Sequence, residues 1–214
     1  MYRAFREPVS GLTHLVAAFA SIAALCILVV NATLYGDAWH ITSFAVFGAS
    51  MFLLFAASAL YHLLPVPDRG VQSLQKLDHM MIYVLIAGTY TPFCLVPLRD
   101  SGGWRLFAAV WGLAVVGIIM KFFWLNAPRW LTTGVYLFMG WLILFAYEAL
   151  VLNLTGAALF WLFLGGMSYT VGAIVYATQW PDPWAPHFGY HEVWHLFVIA
   201  GAFCHFWAVA FHLI

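Results

Sequence analysis

Seven uninterrupted apolar stretches, each long enough to cross a bilayer as a helix, constrain this 214-residue chain more than any other feature. They fall at roughly 9–31, 41–64, 79–98, 104–123, 130–151, 156–178 and 191–213, where a spanning helix needs about 20 apolar residues. The runs are continuous, not alternating, which excludes a transmembrane β-barrel. The breaks carry turn chemistry or charge: Asn31 to Asp37, Pro65 to Gly70, Arg99 to Gly103 and Asn126 to Arg129. The last, Trp180 to Pro186, is rich in Pro and Trp, as an interfacial loop with aromatic anchors should be. Arg3 and Arg6 before the first run resemble a signal peptide, but Val9 to Val30 is too long for a signal core. The expectation is an all-α, integral membrane seven-transmembrane-helix bundle, with residues 1–214 forming one domain.

Charge supports this. Eight acidic and eight basic residues make up only 7% of the chain, against about 25% in soluble domains. So few charges cannot wet a globular surface. They also exclude a disordered chain, and they provide no basic face for nucleic acid. Three cysteines, Cys26, Cys94 and Cys204, lie in separate apolar runs and read as buried thiols. With the N-terminus on one side, that side collects Arg3, Arg6, Arg69, Lys76, Lys121 and Arg129, leaving Arg99 and Arg105 opposite. The bias puts the N-terminus in the cytoplasm and the C-terminus outside, in a multi-pass protein of the plasma (inner) membrane.

Ionisable groups within or beside spans are functional candidates by default. His191 and His195, at i and i+4 at the start of the seventh run, face the same way one turn apart, so both imidazoles can reach one metal ion. Ser58 and His62 form a second i, i+4 pair at the end of the second run, and Asp78 stands just before the third. The alternation of the spans brings His62, Asp78, His191 and His195 to one cytoplasmic level, which the count of basic residues did not require. Three histidines and a carboxylate match a catalytic zinc site with an open fourth position. Any one of these residues alone reads as an interhelical hydrogen-bond partner. The four together, without a metal, would need other partners to offset their burial. His191-Glu192-Val193-Trp194-His195 also fits the H-E-x-x-H pattern of zinc proteases, an alternative weakened by the lack of a soluble domain.

At these residues the chain resembles the hemolysin III family, the bacterial branch of the progestin and adipoQ receptor (PAQR) superfamily. The matching stretches, in order, are Glu7 to His14, Ser58 to His62, Leu77 to His79, Gly88 to Pro92, Gly165 to Gly172 and His191 to Leu196. The resemblance implies a seven-helix bundle with Zn²⁺ near the cytoplasmic face. Its ligands would be His62, His191 and His195, with Asp78 holding the water the metal activates and Ser58 behind it. Similarity of the metal motif to alkaline ceramidases implies hydrolysis of a membrane lipid amide, with Asp78 and Ser58 in the catalytic machinery. Two other functions stay open: a membrane homeostasis factor or sensor with structural zinc, and a pore-forming or cytolytic protein.

Asp78 is favoured as general base over Glu192, which points roughly 100° away from His191 around the helix. Glu192, His14 and His79 are candidate site-lining residues. Glu7, near the same end of the first run, could line the site too, but pairing with Arg3 or Arg6 in solvent is the preferred reading. Further along the seventh run, His205 and His212 continue the stripe of His191. His205 lies about 15 Å beyond His195, as an interhelical partner or part of a wet track. Gly165, Gly166, Ser168 and Gly172 provide close helix packing, and Pro92 removes a backbone donor near the end of the third run.

Overall fold

The structure, a computed structural model, describes residues 5–185 and 187–214. Arg3 of the charge count and Pro186 of the last interior loop lie outside them. The helices are α1 (Pro8–Tyr35), α2 (Ala38–Leu63), α3 (Asp68–Leu95), α4 (Trp104–Phe123), α5 (Arg129–Trp141), α6 (Tyr147–Asn153), α7 (Gly156–Thr178) and α8 (Tyr190–His212). Local chemistry sets their ends. Pro8 opens α1 where its missing N–H costs nothing. The Asp37 carboxylate accepts from the Trp39 and His40 amides at the start of α2, and Thr155 caps α7 through the Ala158 amide. Gly102 turns the chain into α4 at φ 94°, in the left-handed region that glycine tolerates.

Among the described residues, six segments are long and apolar enough to cross a membrane: α1, α2, α4 with its preceding turn, α5 with α6, α7 and α8. α3 equals α1 in length at 28 residues, but its first turns carry Asp68, Arg69, Gln72, Lys76 and Asp78. The helix therefore begins well before the apolar run at 79–98, and Asp78 stands inside it, about three turns from its start. α1 packs on α2 and α8, α2 on α3, and α8 on α7; α4 lies against α3, and α5 runs from α7 back to α3. The core is built from Phe44, Phe47, Met51, Leu54 and Phe55 of α2 against α1, α3 and α8.

Large apolar side chains also face outward, among them Phe145 at 86% and Leu152 at 83% exposure. In water such a surface would aggregate; against lipid it is the matching solvent. Cys94 and Cys204 are buried as expected, but Cys26 is exposed on the outer face of α1, where an apolar lipid contact replaces core packing.

The fifth run is not the continuous helix its composition predicts. Between α5 and α6 it passes through a 3₁₀ segment, Leu142–Ala146, with no proline in it. The cause lies on α3. The Tyr90 hydroxyl accepts from the Ile143 amide at 2.9 Å and points its own proton at the Met139 and Gly140 carbonyls, at 2.8 and 2.7 Å. A side chain inserted into the i→i−4 ladder breaks a helix in this way. Tyr90→Phe should leave these backbone groups without their partner and lower stability by about 1–3 kcal/mol. Faster amide exchange at Ile143 and an earlier unfolding midpoint are the expected readouts; wild-type values for both would show that Tyr90 does not hold the break.

Candidate metal centre

Four helices converge at one end of the bundle. The last turn of α2 supplies His62, the first two turns of α8 supply His191 and His195, α3 supplies Asp78, and the start of α1 supplies Ser10 and His14. The chain just before α1 is fastened to the end of α2: the Glu7 amide donates to the His62 carbonyl at 2.9 Å, and Arg6 donates to the Tyr61 carbonyl at 2.7 Å. Carbonyls that α2 would leave open at its C-terminus are satisfied in this way.

His62, His191 and His195 each offer one ring nitrogen, all within 4.8 Å of one another, a grouping that could hold a metal ion. His62 and His195 are both about 1% exposed. His62 Nδ1 lies 2.5 Å from a Glu7 carboxylate oxygen, so Nδ1 carries the proton and Nε2 is left with a free lone pair. His195 Nδ1 faces the Ser10 carbonyl at 3.3 Å, while its buried Nε2 has no partner. His62 Nε2 and His191 Nε2 stand 3.4 Å apart. That spacing is about the edge of a tetrahedron built on metal–nitrogen bonds of about 2.0–2.1 Å. His191 can donate its Nε2 proton to the His62 lone pair at this distance; with that proton on Nδ1 instead, both lone pairs face one point, as a shared cation needs. The donor set therefore fits a borderline-soft divalent ion such as zinc.

Glu7 differs from its reading as a solvated partner of Arg6. Arg6 is 3.9 Å away, at the edge of an ion pair, whereas the other carboxylate oxygen holds His62. That hydrogen bond, the largest influence on Glu7, keeps its carboxyl below the usual range. A carboxylate behind a ligating histidine fixes its tautomer and raises its basicity. Glu7→Gln should therefore weaken metal binding about 10- to 100-fold, measured by competition with a chelator of known affinity; unchanged affinity would make the contact incidental. Because its pKa is lowered on folding, the contribution of Glu7 is complete above the ordinary carboxylate range and is lost as pH falls through the lowered value.

Glu192 is occupied elsewhere. One oxygen accepts from Ser10 at 2.5 Å, and the other accepts from the Gly189 amide at 2.8 Å, capping α8 and tying it to α1. His14 stacks flat on His195, with ring centroids 3.7 Å apart and planes 7° apart, so it forms a wall of the site and is not one of the grouped donors. His79 is turned to the Gln75 carbonyl at 2.7 Å. Asp78 is buried beside Ser58 and close enough to His62 for direct electrostatic interaction. Although Ser58 Oγ adjoins the carboxyl, it makes no hydrogen bond of good geometry.

Behind the centre lies a cavity of about 460 Å³ between α3, α5, α6, α7 and α8. Asp78 and His79 line it near the histidines; Phe93, Trp141, Tyr169 and His205 line it further in. His205 Nε2 bonds across to the Leu162 carbonyl on α7 at 3.1 Å, which makes it an interhelical partner. The cavity was not readable from the sequence, nor was the contact of Glu7 with His62. A signal for Glu7 did exist, since it stands at the same membrane level as His62 and opens the first of the six family stretches.

A multi-pass membrane protein of the plasma membrane, with a cluster of three histidines that could hold a metal ion, is the class these observations define. The chain belongs to the haemolysin-III related family, which it matches over residues 2–206. It is 41% identical over 214 residues to the hemolysin-3 homolog of Bacillus subtilis (strain 168), covering 100% of this chain and 97% of that one. It is 42% identical over 209 residues to hemolysin-3 of Bacillus cereus, covering 97% and 92%. More distantly, it is 29% identical over 191 residues to heptahelical transmembrane protein 4 of Arabidopsis thaliana, covering 76% of this chain and 46% of the plant protein.

Proposed function

We propose that this protein is a zinc-dependent hydrolase of membrane lipid amides, with α3 as a seventh span and its N-terminus in the cytoplasm. One observation carries the reading: the histidine cluster meets an apolar cavity at a buried carboxylate, Asp78. A structural metal needs neither the cavity nor the carboxylate. The bias of Lys and Arg supports the orientation, and the heptahelical relative supports counting α3 as a span.

His62, His191 and His195 would hold the ion, with Glu7 and the Ser10 carbonyl fixing two of the rings. When bound, zinc supplies Lewis acidity and lowers the pKa of a water to about 7. Asp78 takes a proton from the attacking water and returns it to the amide nitrogen as the carbon–nitrogen bond breaks, giving a fatty acid and an amine. The cavity wall takes the acyl chain and excludes bulk water, and Ser58 limits where the Asp78 carboxyl can turn. Glu192, held by Ser10 and Gly189, has no free oxygen for this work.

The test is incubation of the purified protein, in liposomes, with a ceramide-like lipid. Release of fatty acid that stops on chelation and resumes with added zinc is expected. A zinc-loaded protein that releases none would refute hydrolysis and leave the structural-metal alternative.

A further inference from the structure

Two buried polar atoms have no partner: Nδ1 of His205 on α8 and the hydroxyl of Tyr169 on α7. Both side chains line the cavity, and their ring centroids are 5.5 Å apart. Their seats are built reciprocally. A Cβ at Gly165, one turn before Tyr169, would stand 2.5 Å from His205 Nε2, and a Cβ at Gly201, one turn before His205, would stand 2.8 Å from the Tyr169 ring. Each helix gives up a side chain so that the other can place a polar ring in an apolar wall. Helix packing alone would be served as well by apolar side chains that leave nothing unsatisfied.

The tautomer of His205 is set by its neighbour. The Leu162 carbonyl can only accept, so Nε2 carries the proton and Nδ1 is an acceptor. The Tyr169 hydroxyl can donate or accept. A saturated chain satisfies neither atom, and a carboxylate or ketone has no proton for Nδ1. A hydroxyl does both, donating to His205 and accepting from Tyr169; an amide would too, but the amide of the lipid read above sits at the metal centre, about 15 Å away.

We propose that His205 and Tyr169 form a hydroxyl-recognition subsite, so that the lipid taken into the cavity carries a hydroxyl on its long chain. His205 lies ten residues past His195, which places that hydroxyl about 15 Å from the metal centre along the bundle. The proposal rests on the reading above that a lipid amide occupies the cavity, but binding tests it independently of turnover.

The probes are octadecanamide and a series of octadecanamides with one hydroxyl moved along the chain, titrated against the full-length protein in detergent. One mid-chain position is expected to bind about tenfold tighter than the unsubstituted amide. Tyr169→Phe, which keeps the ring, and His205→Phe should each remove that advantage, so that the hydroxylated amide binds no tighter than octadecanamide to the same variant. If His205→Phe does not fold, Tyr169→Phe decides the matter alone. A flat profile, or a preference that survives the variants, overturns the subsite and leaves the two rings as packing groups. Hydroxyl preference without hydrolysis would remove the enzymatic reading and keep this one; hydrolysis with a flat profile would do the reverse.

Discussion

Asp78→Asn should keep its metal and lose lipid-amide hydrolysis by a factor of about 10²–10⁴, the usual contribution of a positioned acid–base group. Metal and carboxylate separate because they come from different helices. The histidines belong to α2 and α8, their orientation is fixed by Glu7 and Ser10, and Asp78 stands on α3 at the cavity wall. Asparagine has the same shape but cannot take a proton at neutral pH. Turnover and metal content measured on one preparation make the comparison clean. Full activity with metal retained would remove Asp78 as the base, and Glu192, with both oxygens engaged, would be a poor replacement.

His195→Ala should empty the centre. Its Nε2 is buried with no protein partner, and its Nδ1 is held by the Ser10 carbonyl. Without it two imidazoles remain, fewer than the three protein ligands of catalytic zinc sites. Metal content per chain should fall to background and hydrolysis should go with it, beyond rescue by any zinc concentration the wild type needs. The loss of the stacked ring also leaves a void beside His14, so circular dichroism must show the helices intact. A folded variant that retains one zinc per chain would place the metal elsewhere. The two substitutions together separate holding the ion from using it.

Much of this was legible from the residues, and the exceptions share a cause. The runs at 104–123 and 156–178 coincide with α4 and α7, because turn residues bound them on both sides. The grouping of His62, His191 and His195 was legible from helical spacing and from alternating the spans, two local rules, which also put Asp78 at their level. α3 starts earlier than its apolar run because a helix continues into the headgroup region once polar side chains suit that solvent. The break after α5 was invisible, since its cause is Tyr90 on another helix. For Glu7 the less favoured of two readings holds, for the same reason: beside Arg6 in the chain it looks solvated, yet the group that binds it is 55 residues away. Long-range polar contacts leave little trace in local pattern, so the architecture was more legible than the groups that orient the centre.

X-ray absorption at the zinc edge of the purified protein tests the central claim most directly. Three imidazole nitrogens at about 2.0–2.1 Å plus one exchangeable oxygen are predicted, the open shell of a hydrolytic centre. A shell closed by four protein ligands, or no zinc bound at His62, His191 and His195, would contradict it.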